Sequence, residues 1–111
     1  MEQVACTLDS GRMAERRRRW EELSEQSFVE RLQTADGLRL VFSEDDGVES
    51  ELRTLARLER ECCAFATWTV SVAGDVVRLD VKGVGTEAVA AVHGMFRQLR
   101  ARRPASARGR R

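Results

Sequence analysis

The chain is poor in the side chains from which most enzymes assemble their sites. It has one histidine, no tyrosine and no glycine-rich phosphate loop, which leaves little for a familiar acid–base, nucleophilic or nucleotide-handling arrangement. Gly83-Val84-Gly85 is too short to count as a nucleotide motif. Long apolar runs are missing as well: nothing approaches the roughly 18 residues that a membrane-crossing helix requires. The opening Met1-Glu2-Gln3-Val4-Ala5-Cys6 lacks the basic-then-apolar order of a secretion signal. The expected setting is cytoplasmic, with no membrane partner. Cysteine is scarce and odd in number: of three thiols, two are adjacent, at Cys62 and Cys63. Neighbouring cysteines join only through a strained ring, so a disulfide framework is a poor explanation and free thiols are the starting assumption.

What is present describes one small globule. With 111 residues, 42% of them hydrophobic and 33% charged, the chain buries a core without needing disulfides or a structural metal. Its charge is divided. Seven arginines and no acid lie from Arg97 onward, and subtracting them from the net charge of +1 leaves −6 on residues 1–96. The stretch 100–111 has no apolar face to bury and is expected to be a disordered, Arg-rich tail that touches nucleic-acid phosphates only weakly. The domain is expected to occupy residues 1–99.

Periodicity supplies the elements. Thr7-Leu8-Asp9-Ser10 offers helix-capping side chains, and a first helix is expected over 9–25, docked along a narrow stripe of Met13, Trp20 and Leu23. The basic band Arg16 to Arg19 lies within reach of Glu15, Glu21 and Glu22 on the same helix, which weakens a nucleic-acid reading. Residues Phe28 to Thr34 and Leu38 to Phe42 flank Ala35-Asp36-Gly37, and Asp-Gly signals a hairpin whose turn positions tolerate positive φ. Leu38, Leu40 and Phe42 alternate with Arg39, as in a sheet covered on one face. Glu44-Asp45-Asp46 reads as an exposed loop without calcium-loop spacing. A second helix over 47–63 follows from Val48, Leu52, Leu55, Leu58 and Cys62. A second hairpin turns at Ala73-Gly74-Asp75, and a closing helix over Thr86 to Leu99 starts with a cap from Thr86. The order α-ββ-α-ββ-α predicts an α+β two-layer sandwich, with a four-stranded, mostly antiparallel sheet of two hairpins covered by helices. Trp20 and Trp68 are expected in the core.

The cysteines carry the distinctive chemistry. Cys62 lies one heptad beyond Leu55, on the buried stripe, and Cys63 is rotated about 100° from it, so their sulfurs converge only if the helix ends there. Cys6 precedes the first helix, whose dipole would stabilise a thiolate. The C-terminal end of the second helix disfavours thiolate charge, although Arg57 and Arg60 offset this, and it favours a bound cation. Thiolates select soft ions, and three sulfurs suit a trigonal site for mercury(II) or arsenic(III). Zinc competes but wants a fourth ligand, for which His93 is the one histidine on offer. Two other readings stay open. In one, the cysteines are packed as small hydrophobes in a regulatory or interaction module able to form a homodimer; in the other, a thiol redox switch or thiol enzyme exposes a thiol of depressed pKa.

Cys6-Thr7-Leu8, the run Leu58-Glu59-Arg60-Glu61-Cys62-Cys63-Ala64-Phe65, the valine-rich hairpin and the Gly85-Thr86-Glu87-Ala88 helix start together resemble a group of small bacterial proteins with a Glu-x-Cys-Cys-x-Phe motif. The resemblance spans most of residues 4–97, as pattern more than identity outside Cys-Cys-x-Phe. Similar domains occur alone or near MerR-type regulators and heavy-metal resistance functions, which implies the handling of mercury or arsenic. By that analogy Cys6, Cys62 and Cys63 are metal ligands and Phe65 packs beside them to exclude water. Organomercurial lyase couples cysteines to an aspartate; Asp9 is the nearest candidate here, but the motif does not match. The expectation is a non-catalytic protein that sequesters or senses a soft metal or metalloid.

Overall fold

Strand alternation sets the sheet. The structure, a computed structural model, describes residues 10–62, 65–97 and 99, without the side chains of Ser10 and Cys62. Strands β1 (Phe28–Thr34) and β2 (Gly37–Ser43) form one antiparallel hairpin, and β3 (Ala66–Ala73) and β4 (Val76–Gly83) form another. The hairpins join through their second strands, giving the order β1-β2-β4-β3. At the β2–β4 junction Leu38 faces Val81, Leu40 faces Leu79 and Phe42 faces Val77, all buried on one side. On the other side Arg39 Nε donates to Asp80 Oδ1 at 2.7 Å. A one-residue slip would exchange the two faces, so this apolar row pins the register.

Helices α1 (Ser10–Ser27), α2 (Val48–Cys62) and α3 (Thr86–His93) belong to the covering layer, and Trp20 and Leu23 of α1, the α2 stripe and Val92 of α3 share one apolar core with the inner face of the sheet. The element order and the two-layer α+β architecture are those expected from the sequence. Val48, Leu52 and Leu55 are almost completely buried, each side chain contributing about 1.5–3 kcal/mol by leaving water. Acidic Glu49 and Glu51 in the first turn of α2 and Arg60 in its last turn suit the helix dipole. Both tryptophans lie in the core, as expected. The predicted tail at 100–111 lies outside the described residues.

Four local expectations need correction. The first hairpin turns on Ala35-Asp36, and neither residue has positive φ; Gly37 already belongs to β2. Glycine is needed there because a Cβ would come 1.8 Å from the Val81 carbonyl oxygen. In the second hairpin the conformational argument holds, since Gly74 has φ 64. Helix α3 stops at His93 rather than Leu99, and its first residue, Thr86, follows an N-cap of Gly85 with no side-chain cap bond. Gly94 closes the helix. Beyond it, Arg31 of β1 donates through Nε to the Met95 carbonyl at 3.1 Å and through Nη2 to the His93 carbonyl. These bonds satisfy acceptors that a continuing helix would have used internally. Burial, with the charge of Arg97 adding to it, lowers the Arg31 pKa from its ordinary value. Finally, Met13 is exposed, and the buried apolar stripe of α1 consists of Trp20 and Leu23.

Candidate functional site at the end of the second helix

The buried stripe of α2 runs Val48, Leu52, Leu55, Glu59, in steps of four, three and four, and Cys62 follows Glu59 by three residues in the sequence. The position one turn before the cysteine pair is therefore a carboxylate, and Glu59 is only 9% exposed. Burying a carboxylate without compensation costs several kcal/mol. Helix α1 supplies the compensation. Trp20 Nε1 donates to Glu59 Oε2 at 2.8 Å, and Arg16 Nη1 lies 3.1 Å from the same oxygen. The guanidinium is close enough for an ion pair but lacks hydrogen-bond alignment, so the indole provides the directional bond. Arg16 and Trp20 are four residues apart and share one face of α1.

These contacts also define how α1 and α2 lie. Arg19 reaches Glu51, two turns earlier in α2, through Nε at 3.0 Å and Nη2 at 2.9 Å. At the far end of α1, Ser27 Oγ donates to Asp45 Oδ2 at 3.4 Å, just before α2 begins. Partners rise along one helix as they fall along the other, so the two run antiparallel. The N-terminal end of α1 sits at the C-terminal end of α2. Hydrogen bonding to Glu51 raises the Arg19 pKa against the opposing pull of desolvation. Beside the expected same-helix interactions, of which the charge of Glu15 acts on Arg19, Arg16 and Arg19 thus make longer-range pairs with α2. A cleft of about 190 Å³ between the helices is lined by Arg12, Glu15, Arg16, Arg19 and Leu58. Its two pairing arginines already engage Glu59 and Glu51, so it does not read as an anion site.

Aromatic rings close over this end of the core. Phe96 lies edge-on to Trp20, with centroids 4.7 Å apart, and to Trp68 at 6.2 Å. Its φ of 61 is unusual for a bulky residue and costs about 1 kcal/mol or more. Two edge-to-face contacts, each worth about 0.5–1.5 kcal/mol, offset that cost. Phe65, in the turn between α2 and β3, is half-buried against the same core.

Cys6, Asp9 and Cys63 lie outside the described residues, as does the side chain of Cys62, whose backbone forms the last residue of α2. His93 ends α3, and its Nε2 lies 2.8 Å from the Thr34 carbonyl. A carbonyl only accepts, so this nitrogen carries the proton. Thr34 is on β1 at one edge of the sheet, whereas α2 hands over to β3 at the other, three strand spacings or about 14 Å away. Among the described residues no group of three His, Cys, Asp or Glu side chains is arranged to hold a metal. The sequence reading missed Glu59 with its partners Arg16 and Trp20. Its signal was a glutamate standing on the heptad row between Leu55 and Cys62. In the Glu-x-Cys-Cys-x-Phe pattern the glutamate stands two residues before the first cysteine; that position is Arg60 here, flanked by Glu59 and Glu61. No family model, no curated protein and no solved structure matches the chain.

Proposed function

We propose that the protein binds a soft metal or metalloid ion, of the mercury(II) or arsenic(III) type, through the thiolates of Cys6, Cys62 and Cys63, for sequestration or sensing. The observation that carries this reading is the antiparallel contact of α1 with α2, held at Glu59 by Trp20 and Arg16. From Glu59 to Cys62 is about 4.5 Å along a helix axis, and from Arg16 back to Ser10 about 9 Å. The four residues from Cys6 to Ser10 span at most about 14 Å. The amino-terminal thiol is therefore within chain reach of the end of α2. The partial negative charge of that helix end favours a cation there, and His93, committed to Thr34, favours a three-sulfur set over zinc with a histidine.

Titration of the reduced protein with mercury(II) or arsenite, following sulfur-to-metal absorption, tests the reading. One ion per chain is expected, with quenching of Trp20 fluorescence, because the Trp20 indole is bonded one turn before Cys62. A Cys62→Ser/Cys63→Ser variant should lose the band. An unchanged affinity in Cys6→Ser would remove the amino-terminal thiol from the site, and no absorption change in the parent protein would remove the function.

A further inference from the structure

The two edges of the sheet are built differently. β1 carries Glu30 and Arg31 and has a register irregularity between Phe28 and Glu30, devices that discourage another strand from pairing. β3 has none of them. Ala66-Thr67-Trp68-Thr69-Val70-Ser71-Val72-Ala73 contains no charge and no proline, and it pairs with β4 residue for residue without a bulge. Its outer edge has no strand partner among the described residues. Along its inner row, cover declines from one end to the other: Ala66 and Trp68 are buried, Val70 is partly buried, and Val72 is 42% exposed.

We propose that β3 pairs with β3 of a second copy of this chain, antiparallel about a two-fold axis at Val70, joining two four-stranded sheets into one of eight strands. A two-fold contact must be self-complementary. A strand covered at one end and bare at the other satisfies that condition when it meets its own reverse. With Val70 opposite the partner's Val70, the exposed Val72 faces the partner's Trp68 on the helix side of the sheet. On the opposite side Thr69 faces the partner's Ser71. Directly opposed residues of an antiparallel pair share a face, and no like charges meet in this register. An unrelated extended peptide would use the same backbone edge, but it would have no need of the reversal between covered and bare halves.

Light scattering or sedimentation of the full chain across a concentration series tests the proposal. The expected particle has twice the chain mass. A Thr69→Lys/Ser71→Lys variant places lysine opposite lysine twice and should be monomeric at concentrations where the parent is dimeric, as should Thr69→Glu/Ser71→Glu. Both side chains lie on the face opposite the apolar core, Thr69 exposed and Ser71 partly so, so folding, read by circular dichroism, should persist. Mixing the two variants should restore the dimer mass, and Leu32→Lys on β1 should leave the parent mass unchanged. A parent chain that is monomeric throughout overturns the proposal; if removing residues 1–9 then produces a dimer, the chain's own first segment is the occupant instead. A dimer indifferent to the β3 substitutions overturns it equally.

Discussion

In the first hairpin the two-residue turn is Ala35-Asp36 and a glycine follows it; in the second the turn is Gly74-Asp75 and a valine follows. The helices that precede the hairpins differ in the same way. α2 buries Val48, Leu52 and Leu55, whereas the only buried large apolar residues of α1 are Trp20 and Leu23, and it adds two arginine bridges to α2. The two halves share a layout and solve it with different chemistry. The second half holds itself to the sheet by apolar burial and also furnishes the carboxylates, Glu51 and Glu59, that hold the first. α1 is thus a dependent element, and the end of α2 near Cys62 is where that dependence is concentrated.

The largest effect should come from breaking the tie at Glu59. Glu59→Ala leaves the Arg16 guanidinium, whose side chain is only 14% exposed, without its counter-ion and the Trp20 N–H without its acceptor, and should cost about 3 kcal/mol in urea unfolding. Glu59→Gln keeps an acceptor for Trp20 and should cost clearly less; equal losses would show that the charge of Glu59 carries the whole contact. Comparison of the hairpins sharpens at their glycines. Gly37→Ala drives a Cβ into the Val81 carbonyl and should cost about 2–3 kcal/mol. Gly74→Ala meets open space and only the positive-φ penalty, about 1 kcal/mol. Reversed magnitudes would mean that β2 and β4 separate easily at Gly37. The smallest change is expected from Arg19→Ala. Its bridge to Glu51 is about a third exposed on both sides, so a shift below about 1 kcal/mol in the same assay is expected.

The strands were readable because period-two alternation and a covered face impose the same residues: Leu38, Leu40 and Phe42 could face only one way. The stripe of α2 was readable as far as Leu55 for the corresponding helical reason. Reading failed where a residue's partner is remote in sequence. The apolar spacing of Val92, Phe96 and Leu99 continues past Gly94 although the helix does not, because Phe96 reaches the core from a turn and Leu99 from irregular chain. Arg31, more than sixty residues earlier, takes the freed carbonyls. Within the candidate site, the cysteines stood out by their clustering alone, while Glu59 looked like one more surface charge.

Local patterning by itself determined the element order, the inward face of each strand and the two-layer class, since each follows from where neighbouring residues must point. Only the tertiary structure decided the antiparallel seat of α1 on α2, the burial of Glu59 between Arg16 and Trp20, and the contrast between a guarded β1 edge and a β3 edge that has no strand partner among the described residues. Those depend on contacts between residues tens of positions apart, whose energies are set by which groups lose water together and not by any spacing along the chain.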